Sequence, residues 1–345
     1  MLRGTDRKYK SLFPVFIYDQ NAKVYSNKGG SSPMDTPIKQ PASSIAIKNK
    51  QHRSLIRRYA FGYLLLAPVV LYVAFFQFYP LFDTIRLSFF NYSLLHGGGM
   101  QFTGLSNYKE LTVNDDHFWF ILRNSLVWVI GSTLLQFLIA VPAALILNQK
   151  LRLRGLWRGL VMVPWVSPVV VIGIIWKWIY DGQYGLLNYY LKLLHLLQDN
   201  IVWLGHEFWV WPSLLLTSTW KGFPYVTLML LSALQGISSE MKEAAEIDGA
   251  TNWQRFRYVT LPSLKPIMYV TGMVSIIASW TKFEMIWALT NGGPGYTTSI
   301  LPTYLYTHAF VYLDLGKGAA IGTLSMLIVL IMVFVYAKLF GKDNS

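Results

Sequence analysis

The sequence predicts an all-α, polytopic membrane protein of about six transmembrane helices with both termini in the cytoplasm. Three observations predict it: a low charge content, long apolar stretches, and lysines and arginines that gather on alternate sides of those stretches. Of 345 residues, 53% are hydrophobic and 14% are charged, where a soluble domain carries roughly 25% charged residues. There is no cysteine, which excludes a disulfide framework and a thiolate metal centre. A net charge of +13 would suit a nucleic-acid binder. The basic residues sit beside apolar segments, however, so membrane lipid explains them and nucleic acid is not an expected partner.

A helix needs about 20 mostly apolar residues to cross a bilayer. Residues 62–82 carry no charge, nor do 124–147, and residues 159–176 run apolar up to Lys177. Residues 208–234 are interrupted by Lys221 alone, 267–289 by Lys282 and Glu284, and 319–337 by nothing charged. Residues 296–312, rich in Thr and Tyr and containing Pro302 and His308, read as a packed external loop or re-entrant segment. With the N-terminus inside, segments 1–61, 148–158, 235–266 and 338–345 hold 12, 4, 4 and 2 basic residues. The external segments 83–117, 181–207 and 290–318 hold 2, 1 and 1. That asymmetry sets the orientation, because cytoplasmic loops of membrane proteins are enriched in Lys and Arg.

Two regions follow: a basic N-terminal tail over 1–60 and a membrane domain over 61–345. The tail sets its 12 Lys and Arg against Asp6, Asp19 and Asp35, around a Gly/Ser patch at 29–32 and Pro33, Pro37 and Pro41. No apolar core follows its basic start, so it is not a secretory signal. It reads as a flexible tail drawn to anionic lipid, with a docking role as the alternative; residues 12–18 are apolar enough to lie on a membrane or a partner.

The cytoplasmic loop 236–266 is longer than a plain connection needs to be. From residue 243 to 266 it reads EAAEIDGATNWQRFRYVTLPSLKP. Ser238 or Ser239 can cap a short helix whose positive end favours Glu240 and Glu243. Ala244 and Ala245 leave a smooth face that a groove on another protein could approach closely. Asp248 and Gly249 end the helix, since glycine tolerates the left-handed turn that closes it. Trp253, Phe256 and Tyr258 then make an amphipathic stretch, and Leu261, Pro262 and Pro266 open the next span.

This segment resembles the EAA loop of binding-protein-dependent ABC importers, the sugar permeases in particular. The resemblance rests on Glu243, Ala244, Ala245, Asp248, Gly249, Ala250, Phe256, Leu261, Pro262 and Pro266. WKGFPY at 220–225, LTNGGPGYTT at 289–298 and FTGLSNY at 102–108 are similar to the branch that holds the larger permease of the maltose transporter. Together they cover roughly residues 60–340; nothing carries over to the tail. The resemblance implies the type I ABC importer permease fold in the bacterial cytoplasmic (inner) membrane. It also implies a second permease subunit, a dimer of ATPase subunits and an extracytoplasmic solute-binding protein as partners. Residues 243–250 would form the coupling helix seated in an ATPase cleft. ATP and Mg would sit on that partner, this chain binding no cofactor and catalysing nothing. In agreement, the pairs Gly316–Lys317 and Gly341–Lys342 lack the upstream glycine and following Ser or Thr of a phosphate-binding loop.

An ionisable group inside a span points to function by default. Lys177, flanked by Trp176 and Trp178, reads as snorkelling to the interface. Lys221 and Lys282 lie deeper; Lys282 and Glu284, two apart on a helix, cannot pair with each other, and Ser275, Ser279 and Lys282 fall on one polar stripe of an otherwise apolar helix. The resemblance places Gly222, Tyr225, Ser275, Ser279 and Lys282 on the sugar path. Lys282 departs from the relative, which has an uncharged amide there. It reads either as the partner of an acid on the second permease or, with Lys221, as a contact for an acidic sugar such as a uronate oligosaccharide. Tyr225 and Trp280 are the candidates for stacking on a sugar ring. His52, His96, His117, His195, His206 and His308 are scattered without metal-ligand spacing. An ion-coupled secondary transporter would call for paired intramembrane acids, and a membrane-embedded enzyme for a carboxylate cluster. Import of a neutral sugar or glycerol phosphate is the alternative within the class.

Overall fold

The computed structural model describes residues 62–95 and 99–341. The basic tail expected over 1–60 therefore lies outside the described residues. The chain divides after Pro68, and the account below concerns Val69 onward.

The helices, in order, are α1 (Gly62–Leu87), α2 (Ser106–Lys109, prolonged by a π turn), α3 (Phe118–Leu147), α4 (Arg154–Val166) and α5 (Val169–Ile179). They continue as α6 (Leu186–Leu193), α7 (Glu207–Gly236), α8 (Ser239–Ile247) and α9 (Asn252–Trp280, with one π turn). Last come α10 (Phe283–Thr290), α11 (Leu301–Tyr306, prolonged by a π turn to Val311) and α12 (Leu315–Phe340). A two-stranded antiparallel ribbon pairs β1 (Phe90–Asn91) with β2 (Gln101–Phe102) between α1 and α2.

Among the described residues four helices, α1, α3, α9 and α12, are long and apolar enough to cross a membrane. The bent pair α4–α5 makes a fifth if it counts as one span. Helix α7 is 30 residues long, but Ser213, Thr217, Ser218, Thr219 and Thr227 lower its hydropathy. Two of the expected spans are corrected. The stretch 159–176 is not one straight helix: it is broken at Ser167–Pro168, and its halves meet at 92°. The physical reason is local, because a residue before proline is pushed out of the helical region, and Ser167 adopts φ −64°, ψ 139°. The stretch 267–289 also breaks, α9 ending at Trp280 and α10 beginning at Phe283.

α3 and α7 form the centre. They run parallel, Gly131 facing Leu215 and Gly222 facing Gln136. One core cluster gathers Ile121, Trp128, Leu214, Met285, Ile286 and Leu301; the other gathers Ala140, Ala144, Val226, Leu230 and Leu264. The outside is apolar too: Val69, Leu71, Phe75 and Phe76 on α1 are each more than 60% exposed. Such a surface suits lipid and not water.

Candidate functional site

The bend between α4 and α5 leaves main-chain oxygens without a helical donor. Pro168 has no N–H to give the Pro164 oxygen four residues back, and the bend turns α5 away from Trp165 and Ser167. Lys221 on α7 supplies the missing donor. Its Nζ lies 3.4 Å from the Pro164 oxygen, 3.1 Å from that of Trp165 and 2.8 Å from that of Ser167. One turn further along α7, Tyr225 stacks on Trp165, ring centroids 6.0 Å apart at 18°. One residue before Lys221, Trp220 meets Trp176 of α5 edge-on at 5.7 Å. The Tyr180 hydroxyl, just past α5, donates to the Ser213 oxygen at 2.9 Å. A single face of α7 therefore grips both arms of the bend.

Ser275 and Ser279 lie on α9 and are buried, as is Gly222 on α7. The expected stripe of Ser275, Ser279 and Lys282 does not persist, because α9 stops at Trp280 and Lys282 sits in the break at φ −74°, ψ 69°. Lys282 is half-buried and forms no ion pair, while its ammonium interacts electrostatically with both Lys221 and Glu284. Two ammonium groups thus come within Coulombic reach of each other near the α9–α10 break. Trp280 is 3% exposed, and its indole N–H donates to Ser325 Oγ at 2.9 Å. Its ring is buried against α12 and is not open to a sugar ring in this structure.

Charge-based reading of the sequence missed a seam of uncharged polar groups. Ser132, Thr133 and Gln136 on α3, Ser218 and Thr219 on α7, and Ser275 and Ser279 on α9 each bury a side-chain polar atom with no hydrogen-bond partner. The signal was present as a lone glutamine in the charge-free run 124–147. Trp128 ties the seam together, its indole N–H donating to the Ser279 oxygen at 3.0 Å.

The loop 236–266 folds as a helix, a turn and a second helix start. Ser238 caps α8, accepting from the Met241 N–H at 3.4 Å. Gly249 closes it at φ +73° with nothing within 4 Å of where a Cβ would stand. Glu243, Ala244, Asp248 and Gly249 are exposed, and Ala245 and Ala250 are half-buried. Two supports escaped notice in the sequence. Thr251 and Gln254 form a capping box at the start of α9, a T-x-x-Q pattern that could have been read. Arg255 reaches Glu246 at 3.2 Å, tying α9 to α8.

Residues 296–312, expected as a packed external segment, fold back onto the end of α3. Asn124 Nδ2 donates towards the oxygens of Tyr296, Thr297 and Ser299 at 3.3, 3.0 and 3.2 Å. Ser125 Oγ receives the Leu301 N–H at 2.8 Å. The Tyr304 hydroxyl donates to Asp115. Burial, with Lys317 nearby, pushes the His308 imidazole down to about 4. Among the described residues no group of His, Asp and Glu is placed to hold a metal.

A family profile described as the binding-protein-dependent transport system inner membrane component matches residues 136–342. The trehalose/maltose transport system permease protein MalF of Thermococcus litoralis is 33% identical over 82% of this chain and 95% of its own length. The sulfoquinovosyl glycerol transport system permease protein SmoG of Agrobacterium fabrum is 30% identical over 80% of this chain and 89% of its own. Among solved structures, a bacterial ABC transporter for import of the acidic polysaccharide alginate superposes with a TM-score of 0.73. That match covers 86% of this chain and all of the other, at 20% identity. The chain belongs to the binding-protein-dependent ABC importer permeases, and is a multi-pass protein of the inner membrane and a transport subunit, not an enzyme.

Proposed function

We propose that this chain is one permease subunit of an ABC importer that carries a carbohydrate, and that its path suits an acidic oligosaccharide. The names of the relatives in Thermococcus litoralis and Agrobacterium fabrum support the carbohydrate class. A second permease, an ATPase dimer holding ATP and Mg, and an extracytoplasmic solute-binding protein complete the assembly. Loops 148–158 and 235–266 face the cytoplasm, where Glu243, Ala244, Ala245, Asp248, Gly249 and Ala250 meet the ATPase. Gly222, Tyr225, Ser275 and Ser279 belong to the helices that flank the path.

The observation that carries the acidic reading is Lys282, a half-buried ammonium that among the described residues has no carboxylate within ion-pair distance. A solute carboxylate would gain a charge-assisted hydrogen bond there, worth roughly 1.5–3 kcal/mol. That corresponds to about ten- to a hundredfold in binding. In the reconstituted complex, Lys282→Gln lowers transport of a uronate oligosaccharide by that factor and leaves a neutral one and basal ATPase activity unchanged. Equal loss for both solutes, with a weakened complex, would instead assign Lys282 to an acid on the second permease. That outcome would remove the support for an acidic oligosaccharide and favour the alternative within the class, a neutral sugar or glycerol phosphate.

A further inference from the structure

We propose that Lys221 is a positioning residue, its ammonium held by the main chain of the α4–α5 bend so that the bend, through α5 and α10, sets the place of Lys282. The inference rests on the transport reading above and separates the work of two lysines that the sequence had grouped together.

The case starts from what a membrane demands. Each main-chain oxygen at bilayer depth needs a donor, and a bend that deprives several of them at once is stable only if something else donates. Pro168 removes one amide hydrogen outright. Lys221 answers three oxygens, those of Pro164, Trp165 and Ser167, with the three hydrogens of one ammonium. The oxygens lie at the end of α4, the negative end of its dipole, which favours a cation. Ser167 Oγ also turns back, donating to the Val163 oxygen at 2.8 Å. A lysine in an apolar helix is thereby explained without any solute.

The bend is linked onward. Gly173 of α5 lies so close to α10 that a Cβ built there would stand 2.6 Å from the Ala288 Cβ. No side chain fits between them, so α5 and α10 move as a packed pair. Lys282 is the residue from which α10 starts. Displacing the bend therefore displaces α5, then α10, then the free ammonium. Lys221 has its hydrogens engaged, whereas Lys282 has none engaged among the described residues; one holds the frame and the other is open to a ligand.

The test compares Lys221→Met, Lys221→Arg and the double change Lys221→Met with Pro168→Ala in the full reconstituted complex. Lys221→Met lowers transport of acidic and neutral oligosaccharides alike through the disturbed bend, and lowers the acidic one by about tenfold more, the low end of a lost charge-assisted bond, because Lys282 is displaced with α10. Lys221→Arg restores most of it, since the guanidinium donates to the same oxygens. Pro168→Ala returns an amide hydrogen four residues after Pro164 and recovers part. Loss of the acidic solute alone, at the parent's thermal midpoint, would overturn the proposal, making Lys221 a solute contact, and so would unchanged transport. If Lys221→Met does not assemble, rescue by arginine and by Pro168→Ala supports the proposal, and failure of both overturns it. Thermal unfolding of the same variants needs no solute: Lys221→Met unfolds at lower temperature and arginine restores it, whatever the importer carries. A failure of the carbohydrate reading therefore shows in transport alone.

Discussion

Gln136 presses against Gly222, so closely that a Cβ at residue 222 would stand 2.5 Å from the glutamine Cδ. The glutamine is 2% exposed and its Nε2 has no partner, so the amide is confined without being satisfied. Gly222 is thus a packing glycine between α3 and α7, and the space it leaves is filled by one side chain. Overpacking of this kind costs about 1–3 kcal/mol. Gly222→Ala is expected to lower the thermal midpoint of the purified subunit complex, and Gln136→Ala in the same chain to recover most of the loss. A Gly222→Ala protein as stable as the parent would mean the two helices do not approach this closely.

Gly249 is constrained differently. Nothing crowds it, yet its φ of +73° is one that residues with a Cβ rarely adopt. The strain of a substitution is therefore all backbone, about 1–2 kcal/mol for an ordinary residue, with asparagine among the better tolerated. Gly249→Asn should keep solute-stimulated ATPase activity near the parent level, while Gly249→Val should lower it several-fold with the membrane helices still inserted. Normal stimulation in the valine variant would remove the basis for treating α8 as the coupling element.

In the turn that prolongs α11, His308 gives a pH dependence whose sign follows from its surroundings. Burial, reinforced by Lys317 and opposed by Asp314, Asp115 and Glu110, lowers the imidazole from 6.5 to about 4. The unfolded chain binds a proton first as pH falls, so stability contributed by the neutral imidazole is full above 6.5 and is lost as pH drops towards 4. The contribution is at most about 3 kcal/mol. His308→Gln should flatten the difference in thermal stability between pH 7 and pH 4.5. Parallel stability curves for parent and variant would show that His308 is not held neutral.

The features legible in the sequence were those set by nearby residues. Apolar runs marked the helices, Ser238 its cap and Gly249 its turn, because capping and a left-handed φ depend on a few neighbours. The break at Ser167–Pro168 was signalled by proline, but the absence of charge across 159–176 concealed it. The break after Trp280 had no such signal: Thr281 and Lys282 are not breakers. Trp280 looked like a free aromatic until Ser325, 45 residues on, proved to hold its indole. The three oxygens that hold Lys221 were hidden for the same reason, since they come from around the α4–α5 bend, 54 to 57 residues earlier. Long-range partners were the illegible part, and they decide what each polar side chain is free to do.

Asn124 illustrates such a partner and supports the last prediction. Its Nδ2 faces three oxygens of the segment 296–299 but carries only two hydrogens, so the three contacts of 3.0 to 3.3 Å share them. Asn124 is 4% exposed, and removing the amide leaves those oxygens without their donor in a buried place. An orphaned buried acceptor costs about 1–3 kcal/mol. Asn124→Ala should therefore loosen this segment, seen as faster proteolytic cleavage between residues 291 and 299. Asn124→Asp is nearly the same size, yet it should be worse: it removes both hydrogens and sets a carboxylate against three carbonyl oxygens. The order parent, alanine, aspartate in protease resistance is the expected result. An aspartate variant as resistant as the parent would mean that Asn124 fills space and does not hold the segment by donation.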